Sequence, residues 1–318
     1  MPEKVVVARE MPEAGLGPLE GFDVTVLSEE PPGREALVEA VRGAGGLLTT
    51  VTEKVDAGVL DAAGGGLKVV ANMAVGYDNV DVEAATGRGV VVTNTPGVLD
   101  ETTADVAFML LLAAARRLGE GERIVRAGEW EAWGPKMLTG PDVWGKRLGI
   151  VGFGRIGQAV ARRARGFGMQ VAYTARSPKE DAEHELGARH LDLDDLLRQS
   201  DFVSLHTPLT QETRHLIGAR ELELMPETAV LVNTSRGPVV DEAALAEALS
   251  ERRIFAAGLD VYEEEPKVYP KLLGLENVVL APHIGSASIE TRGKMAGMAA
   301  ENVRAVLSGE PPQNPVNL

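Results

Sequence analysis

The chain has 318 residues, of which 44% are apolar and 25% are charged, so it can bury a large core and is long enough for two domains. Its formal net charge of −15, from 32 basic and 47 acidic residues, argues against partners that bind through phosphate backbones or anionic lipid. The sequence contains no cysteine, which excludes disulfides, thiolate catalysis and cysteine-based metal sites.

The first residues, MPEKVVVARE, lead directly into a predicted strand without the pattern of a secretory signal peptide. The longest apolar run, AFMLLLAAA at residues 107–115, is less than half of the roughly 20 residues that span a bilayer. We therefore expect a cytoplasmic protein in which this run forms a buried helix.

Short β-branched segments alternate with helical or glycine- and proline-rich segments along the chain. In chain order the predicted strands are KVVVA, DVTVL, GGLLTT, LKVVANM and GVVVTN before residue 95, then RLGIVG, MQVAYT, DFVSLH, AVLVNT and NVVLAP beyond residue 145. This alternation is typical of α/β proteins, and the continuous apolar character of the strands indicates parallel sheets with helices on both faces. Two such groups predict two doubly wound parallel-sheet domains.

The predicted domain boundary lies between the two groups of strands. Pro96 interrupts the chain there, and Asp100 is a candidate N-cap for the long apolar helix that follows. This helix could carry the chain into the second domain, and we predict a return near residues 281–288, after which the C-terminal helix packs on the first domain. The predicted organisation is a substrate domain of residues 1–98 and 285–318 and a dinucleotide-binding domain of residues 99–284.

A glycine-rich turn follows the strand RLGIVG. Gly152, Gly154 and Gly157 form the pattern G-x-G-x-x-G between an apolar strand and a helix-forming run. Such glycines allow a tight turn, close approach of a pyrophosphate and close packing of the helix on the strand. The pattern alone also occurs in plain glycine turns, but the flanking strand and helix favour a dinucleotide site that includes Arg155 and Ile156.

The end of the next strand, YTARSP, indicates which dinucleotide is preferred. NAD sites carry an acidic residue about 20 positions after the glycines, and this position is occupied by Ala175. Arg176 and Ser177 follow and can bind a ribose 2′-phosphate, which favours NADP(H) and leaves NAD(H) possible. The alternative is that Arg176 is only a solvated side chain at the strand end.

Three further segments, NTSRGPVVDE, GLDVYEEEP and APHIGSAS, end or follow apolar strands. They contain Arg236, Glu265 and His283, which can converge on one ligand because ligands gather beyond the carboxyl ends of parallel strands. Hydride transfer to a 2-oxo acid would use Arg236 to bind the carboxylate, His283 as proton donor and Glu265 to stabilise the protonated imidazole. Taken singly, a capping arginine, a solvated acidic run and a core histidine are the alternatives.

The sequence strongly resembles the D-isomer-specific 2-hydroxyacid dehydrogenase family, and within it the glyoxylate/hydroxypyruvate reductases. The ordered motifs that carry the resemblance are ANMAVGYDNVDV, ETTADVAFMLLLAAARRL, GEWEAWGP, VGFGRIGQA, NTSRGPVVDE, AAGLDVYEEEP and PHIGSA. It implies a Rossmann domain inserted in a flavodoxin-like substrate domain. It also implies NADPH-dependent reduction of small 2-oxo acids, with Arg236, Glu265 and His283 as the catalytic residues.

The resemblance implies further contacts. The backbone of Val75 and Gly76 would bind the substrate carboxylate from the opposite domain, in a cleft between the domains. In a homodimer formed through the helix near residues 101–118 and the tryptophan loop, Trp133 would reach the partner's active site and restrict substrate size; a plain core or interface anchor is the alternative. The implied cofactor contacts are His206, Thr207, Pro208, Thr234, Ser235, Asp260, which would meet the nicotinamide carboxamide, and Gly285.

Two other functions fit the same fold. A dinucleotide-sensing regulatory module would bind without turnover, but the complete set of Arg236, Glu265 and His283 argues against it. Within the enzyme class, the alternative is an NAD-dependent dehydrogenase of another D-2-hydroxy acid such as 3-phosphoglycerate. The five histidines lack metal-ligand spacing and no G-x-S-x-G motif is present, so neither a metal site nor a serine hydrolase is predicted.

Overall fold

The computed structural model describes residues 2–27 and 31–318. The strands are β1 (Lys4–Val7), β2 (Asp23–Val26), β3 (Gly46–Thr49), β4 (Val69–Asn72), β5 (Val91–Thr93), β6 (Arg147–Val151), β7 (Gln170–Thr174), β8 (Arg189–His190), β9 (Phe202–Leu205), β10 (Val230–Asn233), β11 (Ala256–Leu259) and β12 (Val278–Leu280). The helices are α1 (Arg34–Ala40), α2 (Ala57–Ala63), α3 (Val82–Thr86), α4 (Asp100–Ala115), α5 (Leu118–Ala127), α6 (Arg155–Gly166), α7 (Glu180–Leu186), α8 (Leu193–Gln199), α9 (Ala219–Leu224), α10 (Glu242–Ser250), α11 (Pro270–Leu273) and α12 (Ile289–Leu307).

The chain forms two compact units. The first comprises Met1–Leu99 and Ser286–Leu318, and the second comprises Asp100–Gly285. The limits predicted from the sequence each differ from these by one residue. The prediction of Asp100 as an N-cap is wrong, because Asp100 is the first residue of α4 and lies inside its first turn.

The first unit contains a five-stranded sheet in the order β2-β1-β3-β4-β5, with all strand pairs parallel. This is the flavodoxin-like order. Every residue of β3 and β4 is buried, as expected for strands covered by helices on both faces. Helix α12 packs on β3 and β4 and belongs to this unit. Its N-cap is Ser288, whose hydroxyl accepts a hydrogen bond from the Thr291 N–H at 3.1 Å.

The second unit contains a seven-stranded parallel sheet in the order β12-β11-β10-β9-β6-β7-β8. Read from the β8 edge, this is the Rossmann order with one strand added, so the predicted fold class is confirmed. Two strands were not predicted, β8 and β11. The sequence of β11 is AAGL, and its small residues admit α4: a Cβ at Gly258 would lie 2.9 Å from the Leu110 Cβ.

The apolar run at residues 107–115 lies in α4 and forms part of the core of the second unit, with Leu110 and Leu111 almost completely buried. This confirms the predicted buried helix. Every residue of α5 is at least partly exposed, and Leu118 and Val125 are each more than half exposed. None of the helices in the described part of the chain combines the length and the apolar composition of a membrane span.

Candidate active site

The glycine-rich turn lies between β6 and α6, at the point where the strand order of the second sheet reverses. Gly152 has φ +93°, and a Cβ there would lie 2.6 Å from the carbonyl oxygen of His206. A Cβ at Gly157 would lie 2.3 Å from the carbonyl oxygen of Gly152. Among the described residues no atom lies within 4 Å of a Cβ built at Gly154. Two glycines therefore permit the close packing of this turn, and Gly154 leaves open space.

Helix α6 begins at this open space. Gly154 is its N-cap and supplies no side chain, so the free N–H groups of the first turn are available to an anion. Arg155 is the first helical residue and is exposed, and Ile156 is half-buried. The helix has 12 residues, which gives its N-terminus the partial positive charge that favours phosphate.

Buried polar atoms at the ends of β9 and β10 test whether a dinucleotide fits. Within the described ranges, His206 Nδ1, Thr207 Oγ1 and Thr234 Oγ1 are buried and have no hydrogen-bond partner. Since such atoms are costly unless paired, they suit a polar ligand that lies against them. Pro208 and Ser235 lie on the same two loops, so these residues fit the predicted nicotinamide dinucleotide.

His206, which directly follows β9, has a neutral side chain. Burial lowers its pKa to about 3, and its Nε2 lies 2.8 Å from the Ser204 hydroxyl. It is therefore unprotonated at neutral pH and is a poor general acid. The sequence analysis gave the role of proton donor to His283 and that of a cofactor contact to His206.

The residues predicted to read the ribose follow β7. Arg176 and Ser177 are exposed there, after the half-buried Ala175. Arg176 also lies near Glu212: a hydrogen bond from Thr210 lowers the pKa of Glu212, and the charge of Arg176 lowers it further. An exposed guanidinium thus directly follows Ala175, the position where NAD sites carry an acid.

The structure brings His283 and Glu265 together. His283 Nδ1 lies 2.8 Å from Glu265 Oε2, and Glu265 Oε1 accepts a hydrogen bond from the Tyr262 N–H at 3.0 Å. Both side chains are about one-third exposed. Because Glu265 occupies Nδ1, the imidazole has Nε2 left to exchange a proton with a ligand.

Asp260 fixes the loop that carries His283. Its two carboxylate oxygens accept the N–H groups of Ile284 and Gly285, each at 2.7 Å. The side chain of Asp260 is almost completely buried, and this burial raises its pKa. His283 has φ +53°, a left-handed conformation that is costly for a residue with a Cβ. The bonds to Asp260 stabilise this conformation, a role that was not predicted from the sequence.

The loop after β10 carries Arg236. Its backbone carbonyl accepts a hydrogen bond from Asn233 Nδ2 at 2.9 Å, and its Nη1 donates to the Ser235 carbonyl at 2.8 Å. The next residue, Gly237, lies directly against the segment that contains Glu265, because a Cβ there would lie 1.8 Å from the carbonyl carbon of Tyr262. The sequence prediction did not include Gly237, although the arginine-glycine pair was visible.

A second histidine–glutamate pair, also not predicted, lies in this unit. His215 Nε2 is 2.9 Å from Glu263 Oε2. The Glu263 Oε1 atom accepts the Glu242 N–H, and the Glu263 N–H donates to Glu242 Oε1, both at 3.0 Å. Burial raises the pKa of Glu242. This pair connects the segment after β9 with the one that carries Glu265.

The remaining predicted residues belong to other segments of the chain. Val75 and Gly76 form a turn after β4 in the first unit, and both are partly exposed. Trp133 lies between α5 and β6 and is 79% exposed. Along the chain between α5 and β6, the other exposed large apolar side chains are Trp130, Met137 and Trp144, whereas α4 buries most of its apolar side chains inside its own unit.

Comparison with known proteins identifies the family. Residues 108–285 match the model of the D-isomer specific 2-hydroxyacid dehydrogenase, NAD binding domain. The chain is 55% identical to a glyoxylate reductase of Korarchaeum cryptofilum over 322 residues, which cover 100% of this chain and 96% of the relative.

Two solved structures agree with this match. A protein of Thermus thermophilus has a TM-score of 0.93 and 49% identity and covers 98% of this chain and 99% of its own. The NADPH-dependent glyoxylate/hydroxypyruvate reductase of Sinorhizobium meliloti, in complex with NADP and malonate, has a TM-score of 0.86 and 36% identity, with coverages of 99% and 97%. The chain therefore belongs to the D-isomer specific 2-hydroxyacid dehydrogenase family, and it is an NAD(P)-dependent oxidoreductase.

Proposed function

We propose that the protein reduces glyoxylate and hydroxypyruvate to glycolate and D-glycerate, with NADPH as the preferred reductant. The observation that carries this proposal is the His283–Glu265 pair at the carboxyl edge of the second sheet, with Nδ1 and Oε2 2.8 Å apart. A protonated imidazole held in this way is the acid that reduction of a carbonyl requires. The Korarchaeum cryptofilum relative is named a glyoxylate reductase, and the Sinorhizobium meliloti relative a glyoxylate/hydroxypyruvate reductase.

A nicotinamide dinucleotide, held by the glycine-rich turn and the residues after β9 and β10, would supply the hydride for the carbonyl carbon when bound. His283 Nε2 donates a proton to the carbonyl oxygen, and Glu265 stabilises the imidazolium through Nδ1. In the oxidation direction the same nitrogen accepts the proton. Tyr262 fixes the other carboxylate oxygen of Glu265 through its backbone N–H, so that the pair keeps its orientation.

Substrate anchoring is assigned to Arg236 and to the turn at Val75 and Gly76. The guanidinium offers a planar pair of donors that matches a carboxylate, which a lysine would not reproduce. Its loop is held by Asn233 and packs on Tyr262 through Gly237. The backbone N–H groups of Val75 and Gly76 are proposed to bind the substrate carboxylate as well.

Arg176 and Ser177 support the proposed preference for NADPH. Both are exposed after β7, in the place where an acid would repel a 2′-phosphate. The Sinorhizobium meliloti relative is described as NADPH-dependent and was solved with NADP. We further propose a cytoplasmic homodimer in which exposed Trp133 limits substrate size.

The experiment that tests the function is an initial-rate assay with glyoxylate and hydroxypyruvate, each with NADPH and with NADH. Rapid oxidation of NADPH by both substrates is expected. Rapid oxidation of NADH alone would keep the reductase and overturn the cofactor preference. If both cofactors bind but neither is oxidised, the dinucleotide-sensing alternative replaces the proposal.

The cofactor preference has its own test, the double variant Ala175→Asp, Arg176→Ala. Loss of the guanidinium and gain of a carboxylate should lower the NADPH/NADH ratio of kcat/KM by about tenfold or more, since a charge-assisted hydrogen bond contributes about 1.5–3 kcal/mol. Arg198→Ala removes an exposed arginine of the same unit and should leave the ratio unchanged. An unchanged ratio in the double variant would mean that other residues recognise the 2′-phosphate.

A further inference from the structure

The turn after β4 has three consecutive carbonyl groups engaged in hydrogen bonds. The carbonyl oxygens of Ala74, Val75 and Gly76 accept hydrogen bonds, each at 2.8 Å, from the Thr95 N–H, Asn94 Nδ2 and Asn72 Nδ2 respectively. Within the described part of the first unit, the N–H groups of Val75 and Gly76 have no hydrogen-bonded acceptor. The turn therefore binds its surroundings through its carbonyls and leaves two adjacent donors.

Peptide geometry connects these two facts. In a trans peptide, the carbonyl of one residue and the N–H of the next point in opposite directions. Fixing the Ala74 carbonyl therefore directs the Val75 N–H away from Thr95, and fixing the Val75 carbonyl directs the Gly76 N–H away from Asn94. The side chain of Asn94 thus sets the direction of a donor that it does not touch.

Two asparagines, Asn72 and Asn79, hold the same turn in place. Asn72 is fully buried, and its amide also lies 3.2 Å from Asn79 Oδ1. Asn79 Nδ2 donates to the carbonyls of Thr50 at 2.8 Å and Glu53 at 2.9 Å, in the loop after β3. The turn after β4 is thereby attached to the neighbouring loop of the same sheet.

We propose that Asn94, Asn72 and Asn79 are positioning residues for the substrate carboxylate, which they orient through the Val75 and Gly76 N–H groups. This rests on the proposed function, in which those N–H groups bind the carboxylate. Adjacent backbone donors form a concave anion site when their direction is fixed. Neutral amides suit this role, because an arginine or lysine would attract the carboxylate itself and an aspartate would repel it.

The test compares Asn94→Ala with Asn317→Ala in the full-length enzyme. Asn317 belongs to the same unit, and its Nδ2 donates to the Val90 carbonyl at 3.0 Å, at the opposite end of β5. Asn94→Ala should raise the glyoxylate KM and the inhibition constant of oxalate by about fivefold, the factor that corresponds to one hydrogen bond of about 1 kcal/mol. The KM for NADPH should stay unchanged. Asn317→Ala should change neither substrate constant, whatever its effect on the melting temperature.

Three outcomes would overturn the inference while leaving the proposed function intact. The first is an equal glyoxylate KM in wild type and Asn94→Ala. The second is a rise in the KM for NADPH in Asn94→Ala that parallels the rise for glyoxylate. The third is a rise in the glyoxylate KM in Asn317→Ala as large as that in Asn94→Ala. If Asn94→Ala does not fold, Asn94→Asp keeps the side-chain shape but loses the donor, and it should raise both constants at least as much. A wild-type enzyme that reduces no 2-oxo acid would instead refute the proposed function.

Discussion

The two sheets each reverse their strand order once, and the crevices at these two points are built differently. In the first sheet the reversal lies between β1 and β3, and the ion pair of Arg9 and Glu53 occupies it, with Arg9 Nε 2.9 Å from Glu53 Oε1. Glu53 is almost completely buried, and its other oxygen accepts hydrogen bonds from Thr49 and Thr50. The first unit fills this crevice with its own side chains.

In the second sheet the reversal lies between β6 and β9, and glycines line it. A Cβ at Gly154 would meet open space, and His206 Nδ1 and Thr207 Oγ1 lack partners among the residues described. Topology predicts a ligand crevice at both reversals. The side chains at the strand ends decide which one accepts a ligand.

The largest expected effect concerns His283, at the edge with the open crevice. His283→Ala should lower kcat by about 10²–10⁴ because the proton donor is lost, without weakening NADPH binding. His215→Ala is a matched control, since His215 also forms a pair with a glutamate, at 2.9 Å, and also has positive φ, +51°. Steady-state kinetics gives kcat, and cofactor titration gives the affinity for NADPH, in each of the two variants. Similar losses in the two variants would remove His283 from the mechanism.

A side chain at position 154 should block the crevice of the second sheet. Gly154→Ala should raise the dissociation constant of NADPH by about tenfold, as an overpacked contact of about 1–2 kcal/mol would produce, with little change in melting temperature. Gly157→Ala should instead lower stability by about 1–3 kcal/mol, because its Cβ would meet the Gly152 carbonyl. Titration with NADPH measures the loss of affinity in Gly154→Ala, and thermal unfolding measures the loss of stability in Gly157→Ala. Tight NADPH binding by Gly154→Ala would mean that the dinucleotide lies elsewhere.

A substitution in the crevice of the first sheet, which Arg9 and Glu53 fill, is expected to have the smallest functional effect. Glu53→Gln removes the charge that pairs with Arg9 and should lower the free energy of unfolding by about 2 kcal/mol, less than for a fully buried pair because Arg9 is partly exposed. NADPH affinity should not change. The exposed pair of Arg42 and Glu39 provides the control, and Glu39→Gln should cost less than about 0.5 kcal/mol. A loss of NADPH affinity in Glu53→Gln would contradict the division between the crevices.

Most of the fold was predictable because the strands are short β-branched apolar runs that alternate with helical or glycine- and proline-rich segments. Strand β11 was missed because its residues, AAGL, have low strand propensity, and their small size matters only once α4 packs against Gly258. Strand β8 has two residues, Arg189 and His190, which is too short for a pattern.

In the candidate site, the meeting of Glu265 with His283 could be predicted from the sequence, whereas the hydrogen bonds that hold the surrounding loops could not. Arg236, Glu265 and His283 stand in recognisable motifs at strand ends, and the structure brings Glu265 to His283. The two bonds from Asp260 to the His283 loop depend on backbone direction, which no residue pattern encodes. The contact between the Asn94 side chain and the Val75 carbonyl could not be predicted either. The two residues are far apart in sequence, and their contact depends on the pairing of β4 with β5.

The first unit is assembled from two segments of the chain, whereas the second is continuous from Asp100 to Gly285. Helix α12 packs on β3 and β4, and Asn317 donates to the Val90 carbonyl and accepts the Val92 N–H beside β5. During synthesis on the ribosome, the second unit can fold as soon as its residues emerge, while the first must wait for its last segment. The order of folding in the cell is therefore expected to reverse the order of the sequence.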